Sequence, residues 1–481
     1  MQFDTYESLL QESKHNQLDK KIEKALNLEP VRIITNEAVQ DILSFEEAKF
    51  LESEGFSITK YTKENPLGTY ALGDLKLARH LHRSTQIKLR QNPEVIYRLE
   101  KTFYSGFSVL SQVPSTISQE EIDNHGFHNL PTHTQVISLN TPNSNHEWTK
   151  PILVPSGRHV TQSLTATNQY AQGCFEGMVA MVNSENEVFT FRPFDNARRL
   201  QESAQGLCIP SLSTEFFIEA IKQAIISNKA YLPTAGSDSK LYIRPHIKAI
   251  TGGSGVAPAD SYAFVVEVFP FGNYFANRDT ELDLVAIKGT RRSTPGGVGH
   301  LKYIGNYART MQHKQMAKTG NVPGFKGIKF NDVFYLGDNF ENSFTQEVLE
   351  EDAAGNLIFY TTSNAGTQFF TPSLSRDTIL PGFTRQSILQ IAEAQGHKVT
   401  ETHIPFEMLH RFDGAMLVGS AAGAVRIGSM SYNSQRIEFS KDPQNIKVFY
   451  DIYDTLYNLR RGNIEEFKDN TTISSWPYKI I

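Results

Sequence analysis

The chain's most reactive candidate side chain is a lysine that closes a glycine-rich run, Pro295-Gly296-Gly297-Val298-Gly299-His300-Leu301-Lys302. The glycines allow conformations that a Cβ forbids and let main chain pass close to a ligand. A nucleoside-triphosphate loop would put Ser or Thr after the lysine, whereas Tyr303 follows here. No Gly-x-Gly-x-x-Gly opens a helix after a strand, which removes the dinucleotide fingerprint. On spacing alone, Lys302 reads equally well as a reactive amine or as a surface lysine after a turn. A second element is Thr378-Ile379-Leu380-Pro381-Gly382-Phe383-Thr384-Arg385, leading into Ser387, Ile388, Ile391 and Ala392, spaced as one helix face. A helix start there leaves backbone N–H groups free, favours an anion and adds the Thr384 hydroxyl, although many helices begin this way and bind nothing. The small residues Val418-Gly419-Ser420-Ala421-Ala422-Gly423 form a loop with one hydroxyl that close packing would explain equally well. Leu349 to Asn356 reads as a turn rich in solvated carboxylates.

The elements that must position these residues begin with a change of texture near Thr132. Before it, the capping box Ser44-Phe45-Glu46-Glu47, the stop at Gly55 and the amphipathic stretch Asp74–Phe107 predict a mostly helical extension without catalytic spacing. After it, Val136–Leu139, Val179–Val182, Val188–Phe191, Leu241–Pro245, Ala263–Phe269, Leu284–Ile287, Val333–Leu336 and Leu357–Tyr360 read as strands. Ser213 caps a helix carrying Phe217, Ile221, Ala224 and Ile225, and Val448–Leu459 is a further helix. Phe271–Phe275 reads as a hinge. The 481 residues suit two or three domains at about 150 residues each. A net charge of -5 gives no basic face for nucleic acid or membrane lipid, and two cysteines exclude a disulfide framework or a multi-cysteine metal site. No metal site is expected. The acidic, polar N-terminus has no leader pattern, and Ala415–Val425 is far short of the ~20 residues of a bilayer span, so the cytoplasm is the expected location.

In order along residues 130 to 440, these segments resemble the branched-chain amino-acid aminotransferase family, the fold type IV pyridoxal-phosphate (PLP) enzymes. The carriers are Tyr170-Ala171-Gln172-Gly173-Cys174-Phe175-Glu176-Gly177-Met178, Phe191-Arg192-Pro193 with Arg198-Arg199-Leu200, Tyr242-Ile243-Arg244-Pro245 and Pro270–Phe275. The glycine run through Lys302 with Gly305-Asn306-Tyr307-Ala308, and Leu380–Arg385, complete the series. The resemblance implies an α/β (α+β) fold in two domains, a small one at 125–275 and a large PLP-binding one at 283–481. A linker at 276–282 would join them, behind the helical extension 1–124.

It also implies roles. Lys302 resembles the catalytic Schiff-base lysine and Tyr307 the tyrosine at the cofactor's phenolic oxygen. Glu351 matches the acid on the pyridine nitrogen, where a carboxylate keeps the ring protonated and able to absorb carbanion charge. Arg199, Phe383, Thr384 and Ser420 resemble the phosphate cradle; Tyr170, Phe175, Tyr242, Arg244 and Ala421 correspond to the substrate pocket. The expected reaction is ping-pong transfer of an amino group from leucine, isoleucine or valine to 2-oxoglutarate, by a homodimer whose partners are small molecules. The chain departs from the family at Glu351-Asp352-Ala353-Ala354-Gly355-Asn356, which lacks a glycine, and at Ser420, Ala422, Val425, Val298 and Tyr303. Those changes keep open an aminotransferase for aromatic or specialised-metabolite substrates. Other readings are a D-amino-acid aminotransferase, an aminodeoxychorismate lyase or, least favoured, a non-catalytic binding protein.

Overall fold

The structure, a computed structural model, describes residues 117–128, 130, 132, 134–155, 164–275, 279–339, 346–364 and 366–481, with three short strands nearer the N-terminus. The chain forms two compact units. One comprises Met1–Val113 and Ile152–Thr161. It contains β1 (Val31–Thr35), β2 (Ser57–Ile58) and β3 (Gly68–Leu72), paired antiparallel with β3 central, and also β5 (Ile152–Pro155). The helices predicted at Ser44 and over 74–107 lie outside the described residues. The other unit, Pro114–Pro151 with Gln162–Ile481, carries every candidate site residue.

That unit opens with the short helix α1 (Gln119–Asn124), and its first sheet is antiparallel throughout. β20 (Pro477–Lys479), β8 (Val188–Phe191), β7 (Met178–Val182), β9 (Lys240–Ala249), β10 (Tyr262–Phe271) and β4 (Thr134–Asn140) run side by side in that order. β6 (Gly173–Phe175) adds to β9. Apolar runs bounded by turns account for these strands, and each of those predicted in this region lies inside an observed one. The short helix α2 (Ala166–Tyr170) precedes β6, and α3 (Pro193–Gly206) and α4 (Thr214–Ser227) follow β8. Ser213 caps α4 by accepting from the Phe216 N–H at 3.1 Å, while Phe217, Ile221, Ala224 and Ile225 are buried as one face. On β9, Tyr242 and Arg244 share a face because side chains alternate. Tyr242 lies opposite Val179 of β7 and Phe269 of β10, which builds an apolar wall across three strands.

The second sheet follows the order β13 (Gln346–Asp352), β12 (Asp332–Asn339), β11 (Glu281–Val285), β18 (Gly423–Tyr432), β17 (Gly414–Gly419), β14 (Asn356–Ser363), β15 (Gly366–Pro372), β16 (Lys398–Thr402), with β19 (Gln435–Glu438) on β18. Three of its pairings are parallel, β11 with β12 and β18, and β15 with β16, which makes the fold α+β. Both faces are buried. Ile358, Tyr360, Met416 and Val418 pack with Ile388 and Ile391 of α6 (Phe383–Ala394), and with Phe449, Ile452 and Leu456 of α7 (Pro443–Arg460). Their neighbours in sequence, Leu357, Phe359, Ala415 and Leu417, face Leu282, Phe334 and Ile427 on the opposite side. The chain leaves β11 through a long loop and enters α5 (Gly305–Thr319) directly after Lys302.

One expectation is corrected. The acids of Leu349–Asp352 are not solvated residues of a turn: they lie in β13, and the turn is Ala353–Gly355, closed by the Asp352 N–H on the Gly355 carbonyl at 2.9 Å. Glu350, Glu351 and Asp352 are all buried. Partners elsewhere in the chain make this possible for Glu351, which meets Arg292. Glu350 has no such relief. Neither of its oxygens has a partner in good hydrogen-bond geometry, and burial pushes its carboxyl up to about 7, against the pull of Thr378 and Arg376. A raised carboxyl is neutral in the fold while already ionised in the unfolded chain. Stability therefore falls as pH rises from about 4.5 through about 7 and stays lower above it. Glu350→Gln should raise the melting temperature near pH 8 and leave it almost unchanged near pH 4, where the parent residue is neutral in both states. A variant no more stable than the parent near pH 8 would contradict this.

Candidate active site

Lys302 is fixed through its main chain. Its carbonyl accepts the Phe175 N–H at 3.1 Å, its own N–H donates to Ser203 Oγ at 2.9 Å, and the Ile304 N–H reaches the Gly173 carbonyl at 3.2 Å. The segment thus pairs with β6 like a short extra strand, with Cys174 opposite Tyr303. The glycine loop before it lies against the second predicted element: a Cβ on Gly299 would run into the Thr378 carbonyl. Asn306 holds the loop from the other side, donating to the carbonyls of Val298 at 2.8 Å and Leu301 at 3.1 Å. With its backbone held, Lys302 directs Nζ to Tyr307 Oη at 3.2 Å, Tyr307 standing in the first turn of α5.

Phe175 is the hub on the β6 side. Its ring lies 5.0 Å from Lys302 Nζ, 4.5 Å from the Arg244 guanidinium and 4.9 Å from the Tyr307 ring. Arg244 donates to Tyr242 Oη at 2.9 Å, and its Nε is buried without a partner. Sequence reasoning missed Phe127, which packs edge-on against Tyr242 at 4.8 Å and Phe271 at 5.2 Å. Ala421 packs against the same aromatic group. No periodicity or motif pointed to Phe127. Tyr170 is not brought into this group: it ends α2 with 38% of its surface exposed, and its carbonyl accepts from Tyr303 Oη at 3.4 Å.

Glu351 forms the next layer. Oε1 meets Arg292 at 2.5 Å, Oε2 accepts from Asn356 Nδ2 at 3.1 Å, and both oxygens lie 3.2 Å from the Leu380 N–H. Burial raises this carboxyl above its ordinary range, and Arg292, the Leu380 N–H, Lys302 and Arg199 pull it back. A carboxylate has about four lone-pair sites, so three donors leave room for one more, such as a ring N–H. Arg292 was also missed. It stands in the same loop as Lys302, but its partner is remote in sequence and no local spacing marks it.

At the start of α6, Gly382 is the N-cap and no side chain caps the helix. A Cβ on Gly382 would strike Asn356 Oδ1, so the glycine is what lets Glu351's partner sit here. The first-turn N–H groups of Phe383, Thr384 and Arg385 have no partners inside the helix. Arg199 comes to the same place, donating to the Pro381 carbonyl at 2.9 Å with its guanidinium 4.1 Å from the Phe383 ring. It is buried in a two-point pair with Glu176, Nε to Oε1 at 2.7 Å and Nη2 to Oε2 at 2.8 Å. Three of its five N–H groups are used and two remain. Thr384 Oγ1 accepts from Arg460 Nη2 at 3.0 Å, and Arg460 Nη1 lies 3.5 Å from the Ser420 carbonyl. Free helical N–H groups, a guanidinium with donors to spare and a buried hydroxyl suit a phosphate. The amine on Lys302, the carboxylate on Glu351 and this anion seat together fit the three ends of pyridoxal phosphate.

The family model described as Amino-transferase class IV matches residues 173–430. The chain is 34% identical over 320 residues to a protein named branched-chain-amino-acid aminotransferase 5, chloroplastic, of Arabidopsis thaliana, spanning 66% of this chain and 72% of that protein. It is 29% identical to the branched-chain-amino-acid aminotransferase of Mycolicibacterium smegmatis, over 66% of this chain and 84% of that one. Among solved structures, the branched-chain amino acid aminotransferase of Escherichia coli superposes with a TM-score of 0.56 at 22% identity, covering 72% of this chain and all of that one. The PLP form of the Thermobaculum terrenum enzyme gives 0.54 at 19% identity, covering 73% of this chain and 99% of that one. These structures share the fold.

The Glu176–Arg199 pair yields a stability prediction. With exposures of 0% and 4%, neither charge has water to fall back on. Glu176→Ala should destabilise the apoprotein by about 3–5 kcal/mol in chemical denaturation, because it strands a buried guanidinium. Glu176→Gln, which keeps an acceptor, should cost less. A loss below about 1 kcal/mol for the alanine variant would show that Arg199 is stabilised by something else.

Proposed function

The chain belongs to the class IV aminotransferases, enzymes whose cofactor is pyridoxal 5'-phosphate, and we propose that it moves the amino group of a branched-chain L-amino acid to 2-oxoglutarate in a ping-pong cycle. When bound, the cofactor supplies an electron sink for the charge left on the substrate α-carbon. Lys302 Nζ holds the cofactor, takes the α-carbon proton as a base and returns it as an acid. Tyr307, 3.2 Å from that amine, orients it and would hydrogen-bond the cofactor's phenolic oxygen. Glu351 uses its remaining acceptor capacity to keep a proton on the pyridine nitrogen, while Arg292 and Asn356 fix its direction. Arg199, the N–H groups of Phe383 and Thr384, the Thr384 hydroxyl and Ser420 hold the phosphate. The Ala421 N–H and the free Nε of Arg244 are donors for the substrate carboxylate. Phe175 and Tyr242 line the pocket, while Tyr170 stands apart from them at the exposed end of α2.

The observation that carries the substrate class is the wall next to Lys302. Phe127, Val179, Tyr242, Phe269, Phe271 and Tyr274 form one apolar group against Ala421, and Tyr242 is linked through Arg244 to the Phe175 ring beside the amine. A surface of this kind suits an aliphatic side chain, and its charged neighbour Arg244 already donates to Tyr242. The relatives named as branched-chain aminotransferases support the same reading. The proposal extends to a cytoplasmic homodimer. The cysteines, Cys174 buried and Cys208 exposed, are both free thiols, as a reducing compartment allows, and the exposed Leu164 and Tyr170 are available to a second subunit.

A panel of L-amino acids with 2-oxoglutarate as acceptor tests the function. Leucine, isoleucine and valine should exceed phenylalanine, tyrosine and aspartate in kcat/KM by about tenfold or more, and Lys302→Ala should abolish turnover with all of them. Equal or better use of aromatic donors would overturn the substrate class. Release of pyruvate without an acceptor would replace the transfer reaction with a lyase.

A further inference from the structure

A second buried guanidinium stands behind the proposed phosphate seat. Arg460, in the last turn of α7, is only 2% exposed. Its Nη2 donates to Thr384 Oγ1 at 3.0 Å, its Nη1 lies 3.5 Å from the Ser420 carbonyl, and its Nε is buried without a partner. Among the described residues no carboxylate pairs with it. Its surroundings are the phenols of Tyr453 and Tyr457 and the Phe191 ring, whose centroid is 5.7 Å away. Lys240, also buried, lies 5.2 Å from the Tyr457 ring and donates to the Asp238 carbonyl at 2.8 Å. Burial alone would raise the Tyr457 phenol, yet these two cations hold it below its ordinary range. Buried charges are normally paired. Among the described residues no carboxylate forms an ion pair with Arg460 or Lys240, and the hydrogen bonds of Arg460 lead to Thr384 and Ser420. The C-terminal end of the α7 dipole offsets part of the charge.

The bond to Thr384 has a direction. A hydroxyl carries one proton and two lone pairs, and a guanidinium can only donate. Thr384 Oγ1 must therefore accept from Arg460, which leaves its own O–H to donate elsewhere, in the turn where the α6 N–H groups are free. We propose that Arg460 is a positioning residue for the cofactor phosphate. It fixes the Thr384 hydroxyl as a donor, ties the α6 start to the Ser420 turn, and supplies a positive charge that the bound phosphate balances without touching it. The inference rests on the phosphate seat proposed above.

The test compares equilibrium binding of pyridoxal 5'-phosphate and of pyridoxal, which lacks the phosphate, to apoprotein carrying Arg460→Met, Arg460→Lys or Thr384→Val. Arg460→Met should weaken pyridoxal 5'-phosphate by about tenfold or more and pyridoxal by less than about twofold, with Arg460→Lys recovering part of the difference. In Thr384→Val, adding Arg460→Met should cost less than Arg460→Met does in the parent, since the hydroxyl it orients is gone and only its charge is lost. Equal weakening of both ligands, or of neither, by Arg460→Met would overturn the proposal and leave Arg460 a packing residue. Should that variant fail to fold, Arg460→Gln is read by the same criterion. If Thr384→Val also fails to discriminate the two ligands, the seat itself is wrong. A discriminating Thr384→Val beside a non-discriminating Arg460 variant overturns the role of Arg460 alone.

Discussion

The peptide around Lys302 is held from two directions, and the geometry of the site is measured from that clamp. β6 belongs to the first sheet, while the lysine's loop issues from the second, so the bonds from Phe175 and Ile304 join the two at the reacting amine. Each such bond contributes only about 1 kcal/mol net, but together they remove the main-chain freedom of the residue that must reach a fixed point. The same three residues of β6 also place Phe175. A slip of one residue in the β6–β9 register would turn Phe175 to the other face and separate the lysine from its wall.

Charge is organised around this clamp in layers. Glu176 neutralises Arg199, and Arg292 opposes Glu351, so the two charges closest to the proposed cofactor ends are each supported by a buried partner. A buried ion pair of this kind adds little net stability, but it holds a charged group in one orientation. Arg460 has no carboxylate partner among the described residues and stands behind the proposed phosphate seat, where it donates to Thr384.

What the sequence made legible follows a physical division. Strands such as Val188–Phe191 and the Ser213-capped helix announce themselves because apolar periodicity and capping are local. The helix predicted at Val448 begins five residues earlier, because Asp442 accepts from the Gln444 N–H and Pro443 suits the first turn. Lys302, Tyr307 and Glu351 emerged from an ordered series of motifs; the structure sets the Lys302 amine 3.2 Å from Tyr307 Oη and buries Glu351 against Arg292. Glu351 of β13 was misread because its burial depends on Arg292, supplied from a distant part of the chain. Arg292, Phe127 and Arg460 were invisible for the same reason: an arginine in a loop, a phenylalanine after a glycine and an arginine at a helix end each have ordinary local explanations. Only their distances to Glu351, Tyr242 and Thr384 distinguish them.

The central claim is that one amine, Lys302, carries the cofactor. Borohydride reduction of the protein loaded with pyridoxal 5'-phosphate, followed by proteolysis and mass spectrometry of the peptides, tests it most directly. A single phosphopyridoxyl group on the peptide containing Lys302 is the predicted result. A label on another lysine, with Lys302 unmodified, would contradict the account.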